Sequence, residues 1–110
     1  MEWKNLTTVT QLDEIREESK RQPVLIFKHS TRCSISAMAK SRLDKHEVPT
    51  KAIFYYLDLI AHRDVSNKTA EIFHVKHESP QILLIRNGDC IYEESHNGIT
   101  FEEIEEQINM

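Results

Sequence analysis

The chain has 110 residues, 39% of them apolar and 29% charged, and a formal net charge of −4. That length suits one domain, 1–110, able to bury a core without staples. Basic and acidic residues are interleaved, and no apolar run approaches the roughly 18 residues of a membrane span, so neither nucleic acid nor membrane is expected as a partner.

The chain opens Met1-Glu2-Trp3-Lys4-Asn5-Leu6, without the basic start and apolar stretch of a secretory signal. The expected location is the cytoplasm, where thiols are kept reduced, and Cys33 and Cys90 are expected to be free. Thr10-Gln11-Leu12-Asp13 starts a helical pattern, with a capping hydroxyl and an acid three residues on. Leu12, Ile15 and Ser19 share its inner face, and the pattern stops before Pro23. Residues 24–27 form a continuous apolar run, the mark of a strand covered on both faces. Helical spacing returns from Cys33 to about Lys45, with Ile35, Met38, Ala39 and Leu43 recurring on one side.

Residues 47–50 read as a loop and 53–59 as a second strand rich in aromatic and β-branched residues. From 63 to 74, Val65, Ala70, Ile72 and Phe73 mark another helix. Ser79-Pro80 leads into a third strand at 81–86, Asn87-Gly88 is a strong hairpin turn, and 89–94 is the returning strand. Thr100-Phe101-Glu102-Glu103 begins a last helix with a capping-box pattern. A strand–helix–strand unit places its two strands parallel with a right-handed crossover. The hairpin adds two antiparallel strands. The expected fold class is therefore α/β, a mixed four-stranded sheet with helices on both faces.

Cys33 carries the chemistry. It sits where an apolar strand gives way to a helix, a junction that points the first free N–H groups of the helix at the sulfur. Thiols in such places have pKa values lowered to roughly 3.5–7.5, against about 8.5 for an ordinary cysteine. Arg32 adds a nearby positive charge that favours the thiolate, and Thr31 and Ser34 complete a polar surround. Ser36 stands where a second redox cysteine would be in a C-x-x-C site. Its hydroxyl can donate a hydrogen bond to the thiolate but cannot form a disulfide. A mixed disulfide on Cys33 must then be resolved by another molecule.

The element order, the cysteine at the strand-to-helix junction, Ser79-Pro80 before the third strand and Asn87-Gly88 after it resemble the thioredoxin-like superfamily over nearly the whole chain. Within it, Thr31-Arg32-Cys33-Ser34-Ile35-Ser36, preceded by Lys28-His29-Ser30, resembles the monothiol bacilliredoxin group. That group carries a proline directly after the cysteine, where Ser34 stands here. The resemblance implies a cis Pro80 facing the thiol, with the Ser79 backbone offering hydrogen bonds to an extended substrate. It also implies exchange with the small thiol bacillithiol. Dithiol thioredoxins, as a family, bury an aspartate six residues before the nucleophile; Phe27 holds that position, consistent with there being no second thiol to deprotonate.

The hairpin register puts Pro80 opposite Ser95, so that Ser95, His96, Asn97 and Gly98 fall at the Cys33 end, and Asn97 and Gly98 are assigned to a groove for the small thiol. If Pro80 lies beside Cys33, Cys90 sits at the far end of the hairpin. Five residues of strand at about 3.3 Å each exceed 15 Å, beyond the roughly 7 Å between Cα atoms that a disulfide allows. Cys90 is then a strand residue or a partner for another molecule. His29 precedes Cys33 by four residues along an undetermined path, and His74-x-x-His77 lacks the further ligands of a structural zinc site. No metal or other cofactor is expected. The function expected is a monothiol thiol–disulfide oxidoreductase that removes a low-molecular-weight thiol from S-thiolated client proteins. Two alternatives stand beside it: an iron–sulfur carrier of the monothiol glutaredoxin type, and a redox-inert interaction module.

Overall fold

The computed structural model describes residues 1–49 and 51–110; Thr50, the end of the expected 47–50 loop, lies outside the described residues. The strands are β1 (Lys4–Asn5), β2 (Val24–His29), β3 (Ile53–Asp58), β4 (Gln81–Arg86) and β5 (Asp89–Ser95). The helices are α1 (Thr10–Glu18), α2 (Ser34–Asp44), α3 (Arg63–Phe73) and α4 (Phe101–Ile108), with a single 3-10 turn over His96–Gly98. The sheet order is β1-β3-β2-β4-β5. β3 runs parallel to both β1 and β2, whereas β4 is antiparallel to β2 and β5.

Every residue of β2 is buried, because helices cover both faces of the sheet at its centre. Leu25 and Phe27 pack with Ala39 and Leu43 of α2 and Phe101, Ile104 and Ile108 of α4. Val24 and Ile26 point the other way, onto Leu12 and Ile15 of α1 and Val65 and Phe73 of α3. These two cores, one on each side of the sheet, are what the strand–helix alternation predicts.

The sheet has five strands, not the expected four. β1 is two exposed residues paired with Tyr55 and Tyr56, too short to show any alternation. The start of α1 also differs from expectation. Its capping exchange lies upstream of Thr10 and Asp13: Gln11 Oε1 accepts from Thr7 N at 2.7 Å and Thr8 N at 3.0 Å, and Thr8 Oγ1 accepts from Gln11 N at 3.4 Å. α2 starts at Ser34 and leaves Cys33 as its N-cap residue. The cap of α4 is as expected, with Thr100 Oγ1 accepting from Glu103 N.

Asn87 and Gly88 both have positive φ, 53° and 81°, the geometry of a tight hairpin turn. Ser19 anchors that turn to the end of α1, its carbonyl accepting from Asn87 N and its hydroxyl from Gly88 N, each at 2.8 Å. Further along, Leu84 pairs with Tyr92 but Ile85 with Cys90, so one extra residue bulges out of β5. The bulge moves the register by one: Gln81 faces Ser95, and Pro80 O accepts from His96 N at 3.0 Å. Pro80 therefore lies opposite His96 rather than Ser95.

Candidate active site

β2 ends on buried His29, and the chain then turns through Ser30, Thr31 and Arg32, closed by Cys33 N donating to Ser30 O at 3.1 Å. Cys33 has extended backbone angles of −109° and 124° and caps α2, its carbonyl accepting from Ala37 N at 3.0 Å. The side chain is half-buried and unbonded to any other cysteine. Thr31, Arg32 and Ser34 around it are exposed. The first turn of α2 carries no acid, so the positive end of the helix faces the thiol without a competing carboxylate on that turn. Ile35 and Met38, read from sequence as sharing one side with Ala39 and Leu43, are instead 47% and 62% exposed.

Ser36 is fully buried. Its hydroxyl oxygen accepts from Ser30 N at 3.0 Å and shares a 2.7 Å hydrogen bond with His29 Nδ1. Among the described residues, no hydrogen bond joins it to the Cys33 sulfur in this arrangement. The His29 residue is 6% exposed, and its ring stacks on Phe27 and packs at a tilt against Tyr56, with centroids 5.7 and 5.6 Å away. Burial, and secondarily the Lys40 cation, hold its pKa below the ordinary histidine value, against the pull of Asp58, Asp44 and the Ser36 backbone. His29 is the site residue that sequence reasoning left open. Its signal was two-residue alternation: in β2 it shares a face with Leu25 and Phe27, and so turns toward α2.

The Ser79–Pro80 peptide is cis. Lys28 pairs with Gln81, which sets Pro80 level with His29 at the end of the sheet from which the Cys33 turn departs. Ser79 Oγ is buried without a hydrogen-bond partner among the described residues. Asn97 and Gly98 belong to the 3-10 turn that follows β5 at this same end and packs against α2. Arg42 of α2 donates to Ile99 O at 3.3 Å and ties the two together. The space left by the missing Gly98 side chain is filled from within, since a Cβ there would come 2.5 Å from the Glu94 carboxylate.

Cys90 is at the other end of the hairpin, paired with Ile85. It is half-buried, its thiol donates to Tyr92 O at 3.3 Å, and burial pushes its pKa up to about 11. His74 and His77 are not brought together as ligands. His74 closes α3 in the left-handed conformation, while His77 Nδ1 lies 3.3 Å from Lys28 Nζ and 3.4 Å from Ser66 Oγ. Phe27, in the position of the thioredoxin aspartate, is a core residue stacked on Trp3 at 5.6 Å.

A free thiol at a helix start, a buried serine three residues on and a cis prolyl peptide thus lie at one end of the sheet. The sequence model of the monothiol bacilliredoxin BrxC matches residues 4–104. The chain belongs to the monothiol bacilliredoxin family. Among solved structures, this bacilliredoxin is similar to a protein provisionally described as an oxidoreductase with a thioredoxin fold: 32% identity, TM-score 0.82, covering 96% of this chain and 92% of that one. Thioredoxin from Trypanosoma brucei brucei shares the fold at 14% identity and TM-score 0.78, over 99% and 93% of the two chains. Mitochondrial Thioredoxin 3 from Saccharomyces cerevisiae does so at 19% and 0.73, over 97% and 93%. Family and fold together make this bacilliredoxin a thiol oxidoreductase of thioredoxin architecture. Among the described residues, no helix is long and apolar enough to cross a membrane.

Proposed function

We propose that this protein removes a low-molecular-weight thiol, bacillithiol, from mixed disulfides on client proteins in the cytoplasm, with Cys33 as the nucleophile. The observation that carries the reading is the placement of Cys33, half-buried on the N-terminus of α2, with serine rather than cysteine at position 36.

The Cys33 thiolate attacks the small-thiol sulfur of the mixed disulfide. A bond forms between Cys33 and that sulfur, the original disulfide breaks, and the client cysteine leaves as a thiolate. The client is reduced and Cys33 is oxidised by the same pair of electrons. A second small-thiol molecule then attacks the adduct, restoring Cys33 and releasing the symmetric small-thiol disulfide. Neither step draws on a metal or an organic cofactor. Thr31, Arg32 and Ser34 border the sulfur, the Ser79 backbone beside Pro80 binds the extended substrate, and Asn97 and Gly98 line the groove for the small thiol.

The test offers the reduced protein mixed disulfides of bacillithiol and of glutathione and weighs the intact products. One adduct is expected, on Cys33, forming faster from the bacillithiol donor and lost in Cys33→Ser. An equal adduct on the Cys33→Ser protein would show that the wrong sulfur has been named.

A further inference from the structure

Ser36 Oγ stands between two neighbours that make different demands on it. Ser30 N–H donates to it at 3.0 Å and fills one lone pair. His29 Nδ1 approaches to 2.7 Å. A hydroxyl has one proton to give and two lone pairs with which to accept. When Nδ1 is bare, the hydroxyl proton goes to His29. When Nδ1 carries a proton, His29 and Ser30 both donate, both lone pairs are filled, and the hydroxyl proton must point elsewhere. Ser36 is fully buried, so bulk water is not there to take it. Cys33 is the N-cap residue of α2 and Ser36 occupies the third helical position, the part of the first turn toward which an N-cap side chain reaches.

We propose that His29 is a positioning residue for the thiol chemistry: its ring decides whether the Ser36 hydroxyl donates to His29 or to the Cys33 sulfur. The inference rests on Cys33 being the reacting sulfur, as proposed above. The ring stacks on Phe27 and packs at a tilt against Tyr56. The charged and titratable groups around it are Lys40 and Asp44 from α2 and Tyr56 and Asp58 from β3. Burial and Lys40 outweigh the two aspartates and favour the neutral ring, whose tautomer sets the direction of the hydroxyl.

A negative sulfur draws the Ser36 proton toward itself and thereby favours the His29 tautomer that is protonated at Nδ1. When the sulfur enters a disulfide its charge is gone, and the hydroxyl turns back to His29. The hydroxyl keeps its own proton throughout; only its direction and the site of the ring proton change. The arrangement stabilises Cys33 in the step where it departs from the adduct as a thiolate.

The first test needs no substitution. Nitrogen-15 shifts of the His29 ring at pH 9 are recorded in the reduced protein and after alkylation of Cys33 with iodoacetamide. The expected result is a proton on Nδ1 in the reduced protein and on Nε2 after alkylation. The same tautomer in both would overturn the inference. In Ser36→Ala the tautomer should no longer follow alkylation; if it still does, the link does not run through the hydroxyl.

The pH profile of Cys33 alkylation gives a second readout. The wild type should show an extra inflection below pH 6.5, where His29 titrates, spanning on the order of a tenfold change in rate, the scale of one hydrogen bond to a charged atom. His29→Phe, which keeps a stacked ring, should lack it, and an inflection retained there would also overturn the inference. Should Ser36→Ala fail to fold, the wild-type tautomer and the His29→Phe profile still decide. Loss of the adduct in Cys33→Ser together with a fixed His29 tautomer would remove this inference and leave the proposed function standing.

Discussion

Lys28 and His77 stand 49 residues apart in sequence, yet the lysine Nζ lies 3.3 Å from the imidazole Nδ1 on the face of the sheet away from the thiol. Lys28 is fully buried, and its other hydrogen bond is to a neutral group, the Ser66 carbonyl, at 3.3 Å. Burial without a carboxylate partner pushes its pKa down to about 8. In the unfolded chain a lysine holds its proton to about pH 10.4. Between those two values the unfolded state binds more protons, so this residue makes stability rise with pH; below pH 8 its full penalty is present.

Lys28→Met should therefore be more stable than wild type at pH 7, by on the order of 2 kcal/mol, with the gap closing as pH rises from 8 toward 10. Urea unfolding of both proteins at several pH values checks this. Taking the difference cancels the tyrosines and Cys90, which are the same in both. A gap that stays constant with pH would show that the lysine is not held in the disfavoured charged form.

The two thiols should separate cleanly in a labelling experiment. With its pKa pushed up to about 11, Cys90 is almost wholly protonated at pH 7.5, and a thiol in that form is a poor nucleophile. Iodoacetamide should add one equivalent to the native protein, on Cys33, and a second only after unfolding. Cys90→Ser should leave the rate and stoichiometry of the first addition unchanged. Mass spectrometry of the intact protein and its peptides reads the outcome, and early modification of Cys90 would contradict it.

Much of this molecule is legible in its sequence, and the gaps have definite causes. The Asn87-Gly88 turn and the Thr100 cap are local signals that the structure carries as read, whereas the 24–27 run is extended by the buried Lys28 and His29. β1 is invisible because two exposed residues have no pattern, and its pairing depends on β3, some fifty residues away. The bulge opposite Leu84 is a matter of partner spacing, which one strand alone does not reveal, and it moved the pairing of Pro80 by one residue. In the site, Cys33 and Pro80 announce themselves by residue type and position. The His29–Ser36 contact does not, since it needs the turn at Ser30 to bring a strand end against a helix start. Lys28 directly follows the apolar run, and its burial with His77 and Ser66 could come only from the fold.

α4 offers a test of how the core on the thiol side is closed. Phe101, Ile104 and Ile108 are its buried residues, and the Thr100 hydroxyl accepts from Glu103 N at 3.3 Å. Thr100→Ala removes that acceptor and should destabilise the protein by about 1 kcal/mol. Chemical denaturation should show a lower midpoint with an unchanged slope. Because the Thr100 hydroxyl bonds within its own helix, the rate of Cys33 alkylation should not change.

Gly98→Ala separates groove from scaffold. The new methyl group would fall 2.5 Å from the Glu94 carboxylate, the flexible end of a side chain that now accepts from Ser95 N at 3.1 Å. Glu94 can swing aside, so the fold should survive, but its charge would be moved within the turn that follows β5. If Asn97 and Gly98 line the small-thiol groove, adduct formation from a bacillithiol mixed disulfide should slow by about tenfold, equivalent to roughly 1.4 kcal/mol in the barrier. Alkylation by iodoacetamide, which has no use for a groove, should keep its wild-type rate. Equal slowing of both reactions would place the effect on the thiol itself, and no slowing of either would take the turn out of the binding site.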